Sequence, residues 1–460
     1  MTNNNLIYIE TYGCSANQNN TEIMKGLLLS HGFNVVETEA LADIIILNTC
    51  VVKEPTIKKI EDRIKNIVEK NKKLIITGCM PEVLEKKLTR LCPRASIVGI
   101  NHIKEISNIV KKLIEGEQVK ILEKSNEIKL CTPKTRLKNV VGITQIAQGC
   151  LGSCAYCYTR LAKGSLFSYP EDKILKNIEQ DIAAGCKEIW LTSQDNASYG
   201  LDFKDRAELS DKNRGFVTLC TAPKPEKKRL AHTPKSQLPR LINSITSLPH
   251  RFFLRIGMMN PKNVLSLLDE LMESYKDEKV FKFLHISLQS GSDKILKAMN
   301  RNYKVQDFLD IINRFTEAFP NITISTDIIV GFPGETEEDF QDTLDIIKKI
   351  KPDVLNISRF WAMEKTEAKK MPNQISPEIK RKRATELMKL HAKIALENKK
   401  LLIGQHCKVL VDSKGFQDTW IARDDSYKMI IIISKENLAG KFLKVLVKEA
   451  KPHYLIGELV

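Results

Sequence analysis

Cys150, Cys154 and Cys157 stand in the segment Gln-Gly-Cys-Leu-Gly-Ser-Cys-Ala-Tyr-Cys-Tyr, a Cys-x-x-x-Cys-x-x-Cys spacing. Three thiolates this close suit an iron–sulfur cluster, whose irons take soft sulfur ligands. A [4Fe–4S] cubane held by three local ligands keeps one iron open for a small chelating molecule. Zinc would ask for a fourth ligand at a similarly regular spacing, and no nearby His or Cys supplies it. Three more cysteines, Cys14, Cys50 and Cys79, are far apart, yet each stands just past a run that reads as a strand: Thr-Tyr-Gly-Cys-Ser, Leu-Asn-Thr-Cys-Val and Thr-Gly-Cys-Met. In an open parallel sheet the carboxyl ends of the strands line one crevice, so the fold can gather thiols that spacing does not connect. Such a set could hold a second cluster; singly, each would as readily be a small buried residue. Cys92, Cys131, Cys186, Cys220 and Cys407 join no motif and read as bystanders.

The elements that must position these groups fall into three series. Over residues 1–118, β-rich runs at 6–9, 43–48, 73–77 and 96–100 alternate with helical periodicity at 21–30, 55–69, 81–88 and 103–115, which argues for a parallel sheet covered by helices. Residues 116–140 are polar and basic and read as a linker. Over 136–370, strands at 142–147, 188–192, 252–256, 281–288, 322–330 and 354–358 alternate with helical segments, enough for a partial α/β barrel short of the eight units that close one. A helix follows at 377–400, carrying Lys-Arg-Lys-Arg at 380–383. Residues 398–460 then turn β-rich, with runs at 407–411, 419–422, 429–433 and 441–447, the pattern of a small all-β barrel.

The chain has 460 residues, of which 42% are hydrophobic and 28% charged, so it can bury real cores and is not a disordered chain. No apolar run reaches membrane-spanning length, and the amino terminus lacks the basic flank and apolar core of a secretory signal; a cytoplasmic protein with no membrane partner is the expectation. An odd count of eleven cysteines without such a signal favours metal or redox chemistry over disulfides. The charge, 72 basic against 56 acidic residues, suits an acidic partner such as nucleic acid. It is regional: residues 203–236 hold nine Lys/Arg against four Asp/Glu, and residues 364–400 hold eleven against five.

The Cys150/Cys154/Cys157 motif, with Tyr156 before its last cysteine, resembles that of the radical S-adenosylmethionine (SAM) superfamily. With both cysteine sets in place, the whole chain resembles the methylthiotransferase family of radical SAM enzymes. Its order would be a flavodoxin-like N-terminal domain, a radical SAM partial (β/α)6 barrel and a C-terminal TRAM barrel, an RNA-binding module. Tyr-Gly-Cys-Ser-Ala-Asn at 12–17, Asn-Thr-Cys-Val-Val-Lys-Glu-Pro-Thr at 48–56, Arg-Ile-Gly-Met-Met-Asn-Pro at 255–261 and Met-Asn-Arg-Asn-Tyr at 299–303 look like the archaeal and eukaryotic branch. That branch places a methylthio group on carbon-2 of N6-threonylcarbamoyladenosine next to the anticodon of tRNA. The resemblance implies two [4Fe–4S] clusters and SAM: Cys150, Cys154 and Cys157 for radical generation, and Cys14, Cys50 and Cys79 for presenting the methylated sulfur. It also implies SAM contacts at strand ends, drawn from Tyr156, Ser193, Gln194, Asp195, Arg255, Gln289 and Ser290, with the tRNA anticodon stem-loop and a reductant protein as partners.

Competing readings are the bacterial branches, acting on isopentenyladenosine in tRNA or on a ribosomal protein, and a non-catalytic iron–sulfur RNA-binding protein. Two segments depart from the family pattern. Residues 203–236 look like an inserted basic loop, and Arg-Phe-Trp-Ala-Met-Glu-Lys-Thr at 359–366 stands where relatives tend to show Pro-Arg-Pro-Gly-Thr.

Overall fold

The structure, a computed structural model, describes residues 5–203 and 235–460. Six parallel strands, β1 (Leu6–Thr11), β2 (Asn34–Val36), β3 (Ile44–Thr49), β4 (Lys73–Gly78), β5 (Ser96–Val98) and β6 (Lys120–Ile121), form a sheet in the order β2-β1-β3-β4-β5-β6. This is the flavodoxin-like order with one further edge strand. Helices α1 (Ser15–Ser30), α2 (Glu54–Glu69), α3 (Cys79–Leu91) and α4 (Ile106–Ile114) cover both faces. That is why β3 is an unbroken apolar run: Ile45 and Leu47 pack against α2, while Ile44 and Ile46 pack against α1 and α4.

Two differences from the sequence reading bear on the site. The first helix begins at Ser15 rather than near residue 21, because its polar start (Asn17, Asn19, Asn20, Thr21 and Glu22) is buried and held by tertiary contacts that periodicity cannot register. The segment at 116–140 is not a free linker. It supplies β6 and the buried Lys129, and then runs along α1, where the N–H groups of Thr135 and Leu137 donate to Glu22 and Lys134 pairs with Glu22 and Asp181.

The second unit holds β7 (Val141–Gln145), a two-stranded ladder of β8 (Ala147–Gln148) and β9 (Phe167–Ser168), and then β10 (Glu188–Thr192), β11 (Phe253–Ile256), β12 (Phe283–His285), β13 (Thr323–Val330) and β14 (Val354–Arg359). β7, β10 and β11 pair in parallel, as do β12, β13 and β14, and single bridges such as Met259 to Ile286 join the two halves. The result is the six-stranded partial barrel. Helices α5 (Thr159–Lys163) and α6 (Glu171–Ala183) belong to its first half.

The long helix Pro377–Lys400 leads into a closed barrel of β15 (His406–Lys414), β16 (Thr419–Asp424), β17 (Met429–Ile433), β18 (Phe442–Ala450) and β19 (Leu455–Leu459). Alternate residues, among them Val409, Val411, Trp420, Ile430, Ile432, Val445 and Val447, fill its interior. It docks on the partial barrel through polar contacts at Lys187, Lys282 and Lys428 and through Tyr427. The basic run at 380–383 is partly spent inside the protein: Arg383 is buried against Glu335.

The inserted segment 203–236 lies, apart from its first residue and its last two, outside the described residues, as does Cys220. The other ten cysteines are free thiols. No helix among the described residues is long and apolar enough to cross a membrane.

Candidate functional site

β1, β3 and β4 end side by side, and the residues just past them carry Cys14, Cys50 and Cys79. Cys14 is the N-cap of α1 and Cys79 is the first residue of α3. Cys50 and Cys79 are buried and Cys14 is the exposed member. Side chains from the same segments stitch these loops together. The Asn17 amide donates to the carbonyls of Tyr12 (2.8 Å) and Thr49 (3.0 Å). The Asn48 amide donates to the Asn17 carbonyl (2.8 Å) and to Thr21 Oγ1 (2.9 Å). The Thr49 hydroxyl donates to the Thr77 carbonyl (2.5 Å) and accepts from the Met80 N–H (3.2 Å). Gly13 has φ +117°, and a Cβ there would lie 3.2 Å from Cys50 Sγ, so the close approach of the first two cysteine loops depends on glycine.

Burial pushes the Cys50 thiol up and raises Cys79 to about 12. Cys14 moves the other way. The protein crowded around it tends to raise it, but the Lys163 ammonium and the N–H groups of Asn17 and Ala16 outweigh that effect. Lys163 belongs to the second unit. It ends α5, which buries Tyr158 and Ala162 in the same apolar cluster as Cys79, Met80 and Val83.

The loop with Cys150, Cys154 and Cys157 precedes α5. The Gly152 N–H donates to Cys150 Sγ (3.2 Å) and the Thr159 N–H to Cys157 Sγ (3.3 Å). A Cβ on Gly152 would lie 3.3 Å from Cys150 Sγ, a tight contact, and 3.8 Å from Cys154 Sγ, so the loop curls closely between two sulfurs. Burial raises Cys150 to about 12. Such thiols bind iron only as thiolates, with the metal offsetting the cost of the charge. Among the described residues, no three His, Cys, Asp or Glu side chains converge on a single metal ion. A cubane does not ask for that convergence, because each thiolate takes a different iron.

The segment 299–303 clamps this loop from the side. The Ala155 N–H donates to the Met299 carbonyl (3.0 Å), and the Asn300 amide donates to Ser153 O and Oγ (both 2.9 Å). Arg301 reaches Cys154 Sγ (3.4 Å) and Ser287 Oγ (3.1 Å), and the Tyr303 hydroxyl donates to the Leu288 carbonyl (2.6 Å). Tyr156 packs edge-on against Phe332.

The loop of Cys14 meets the strand ends of the second unit across one seam. The hydroxyl of Ser15, next to Cys14, bonds that of Thr192 at 2.7 Å, and Thr192 ends β10 directly before Ser193. Ser193 Oγ and Gln194 Oε1 are buried polar atoms with no partner in the protein. Asp195 is engaged: it accepts from the N–H groups of Ala197 (3.1 Å) and Asn260 (3.0 Å) and from the Asn263 amide (2.6 Å). Gln289 lies past β12 with φ +74°, and Ser290 beside it is buried and accepts from the Ser292 N–H (3.3 Å). Arg255 stands apart from this set. It lies within β11, on the face away from the helices, with its guanidinium 4.9 to 5.2 Å from the rings of Phe283, Trp190 and Tyr427. Its Nε is also unpartnered.

Asn17, Asn48, Thr49, Asn300, Arg301 and Tyr303 stand inside the sequence motifs at 12–17, 48–56 and 299–303, and that placement is the one signal the sequence carries for their roles. No spacing rule marks Lys163. His285 bonds Asp327 at 2.9 Å. Glu335 and Thr336 serve the fold: Glu335 accepts from the Gly331 N–H and Arg383, and Thr336 caps the helix Glu337–Ile350. The departing segment at 359–366 joins the two units, with Met363 packed on the N-terminal core and Lys365 donating to the Val83 carbonyl (3.4 Å).

The chain matches the radical SAM superfamily over residues 144–347, the uncharacterized protein family UPF0004 over residues 6–99 and the TRAM domain over residues 400–460. It is 37% identical over 461 residues to the probable threonylcarbamoyladenosine tRNA methylthiotransferase of Pyrococcus horikoshii, covering 99% of each chain. It is 32% identical over 464 residues to the threonylcarbamoyladenosine tRNA methylthiotransferase of Homo sapiens, covering 99% of this chain and 74% of that one. Among solved structures, its fold is similar to the radical SAM methyltransferase TsrM of Kitasatospora setae, with a TM-score of 0.51 at 12% identity over 77% of this chain and 72% of that one. From its three matched domains and its identity along the full length, the chain belongs to the threonylcarbamoyladenosine tRNA methylthiotransferase family of radical SAM proteins.

Proposed function

We propose that this chain methylthiolates carbon-2 of N6-threonylcarbamoyladenosine next to the anticodon of tRNA, with Cys150, Cys154 and Cys157 holding one [4Fe–4S] cluster and Cys14, Cys50 and Cys79 a second. The observation that carries the reading is the Ser15–Thr192 contact, which sets the loop of Cys14 against the end of β10 in the partial barrel, in a chain similar end to end to enzymes named for this activity. The donor chemistry fits the groups: six free thiols in two sets of three, with unpartnered buried oxygens of Ser193 and Gln194 beside the seam. When bound, the clusters and SAM supply the radical and sulfur chemistry that an unactivated aromatic C–H bond requires and no side chain provides.

The chain's own residues bind and orient. The N–H groups of Gly152 and Thr159 and the Arg301 guanidinium donate to the three sulfurs of the radical SAM loop, favouring thiolates there. Tyr156, Ser193, Gln194 and Gln289 bind SAM, while Asp195 and Ser290 fix the strand ends behind them. Arg255 supports the barrel wall from below, against Tyr427. Asn17, Asn48 and Thr49 hold the second set in register.

The working units are 1–118, 136–370 and 398–460. The last, with the exposed Arg381, Lys382 and Lys389 side of the helix before it, grips the anticodon stem-loop through phosphate contacts. A reductant protein supplies single electrons, and work on tRNA makes the cytoplasm the site of action. The test is nucleoside mass analysis of tRNA from cells with and without the chain. A 2-methylthio group on threonylcarbamoyladenosine that depends on the chain is the expected result; no difference would overturn the substrate.

A further inference from the structure

Lys163 has a setting that the proposed chemistry leaves unexplained. It is 7% exposed. The titratable groups that act on it are the thiols of Cys14, Cys79 and Cys50 and, with like charge, the ammonium of Lys129; no carboxylate is among them. A buried ammonium without a counter-ion is costly, so an anion belongs beside it. Lys129, the other buried lysine in this region, differs: it donates to Gln148 Oε1 at 2.8 Å and has Glu127 nearby. A cubane held by three thiolates carries net negative charge and gains more on reduction, which is what the Lys163 site lacks.

The lysine is also held in place. The Thr159 N–H at the start of α5 binds Cys157 Sγ, the carbonyl of Gly164 just past its end accepts from the Cys150 N–H (3.2 Å), and Tyr158 and Ala162 are packed into the N-terminal core. One short helix thus runs from the first cysteine set to the second and ends in a charge.

We propose that Lys163 is a positioning residue for the cluster at Cys14, Cys50 and Cys79: a fixed cation, delivered by the radical SAM unit, that raises the reduction potential of that cluster and holds the two units in register. This rests on the two-cluster reading above, and the experiment separates the two. In the full chain carrying C150A, C154A and C157A, anaerobic reconstitution with iron and sulfide should leave about four irons per chain, all at the second set. The midpoint potential of that cluster is then read by an EPR-monitored redox titration. Lys163→Gln should lower it by at least 59 mV, a tenfold change in a one-electron equilibrium, and Lys163→Arg should restore it.

An equal potential in the Gln variant, or a fall shared by the Arg variant, overturns the role of the charge. If Lys163→Gln and Lys163→Met lose the iron while Lys163→Arg keeps it, the charge is needed for the cluster to form at all, which supports the proposal. Loss in the Arg variant as well overturns it. A parent with no iron removes the second cluster itself, and that result is read before any lysine is changed.

Discussion

Replacing Asn17 with Ala tests how the second cysteine set is held. The Asn17 amide is fully buried and makes two hydrogen bonds, to the carbonyls before Gly13 and before Cys50. Each such bond is worth about 0.5–1.5 kcal/mol net, and a buried acceptor left without a donor costs about 1–3 kcal/mol. Asn17 Oδ1 has no partner, so its removal returns part of that loss. A cost of about 2–4 kcal/mol follows, which is roughly a 30- to 1,000-fold increase in local opening. Hydrogen–deuterium exchange of the apo-protein should show this acceleration in peptides spanning residues 11–19 and 47–56, with the C-terminal barrel unchanged. Asn17→Asp, which keeps the unpartnered Oδ1 and sets a second oxygen against the two carbonyls, should cost more still. Reconstituted iron should fall in both variants, because loops that open cannot hold Cys14 and Cys50 in reach of one cluster. Exchange within threefold of the parent together with full iron would refute the stitching argument.

Changing Cys14, Cys50 and Cys79 together to Ala should halve the iron of the reconstituted chain, from about eight to about four, and leave SAM cleavage uncoupled from transfer; unchanged iron would remove the second cluster. Arg383→Ala strands Glu335 in a site where both side chains are nearly inaccessible, and should cost about 3–5 kcal/mol, read as a lower melting temperature and faster exchange along the helix Pro377–Lys400. Burial alone would raise the Asp339 carboxyl, yet Lys294 at 2.7 Å, the Thr336 N–H and the Ser292 hydroxyl hold it down at about 2. Its folded value lies below the unfolded one, so its stabilisation of about 2 kcal/mol is present above pH about 4 and lost as pH falls through about 2; Asp339→Asn should flatten that limb of a stability–pH profile. Tyr427→Ala should cost about 3–5 kcal/mol at the joint between the two barrels and speed proteolysis near residues 401–405, because Tyr427 packs on Phe281, Phe283 and Arg255.

Much of the fold was legible because local period and burial agree. The both-faces-buried strands β3 and β4 are apolar runs, the C-terminal barrel alternates with period two, and helices such as α2 carry Ile57, Ile60, Ile64 and Ile67 at helical spacing. The start of α1 was not legible, since Ser15 to Glu22 is a polar stretch stabilised by partners on β3, on the segment at 116–140 and on β10. Nor was β6, two residues that pair at the sheet edge only once β5 is in place. Arg255 is at the end of β11, as its motif suggests, and its side chain meets rings from three other elements, which no motif registers.

What the sequence by itself carried is the local set. Cys150, Cys154 and Cys157 stand at a spacing that suits an iron–sulfur cluster, whereas along the chain Cys14, Cys50 and Cys79 share just their places after runs that read as strands. How the N-terminal unit sits on the partial barrel was decided by tertiary structure. The Ser15–Thr192 bond spans 177 residues, and Lys163 lies beside Cys14, Cys50 and Cys79 because Tyr158 and Ala162 are buried in the core of another unit. Spacing records which groups are neighbours along the chain, and burial of apolar surface between distant segments decides which become neighbours in space.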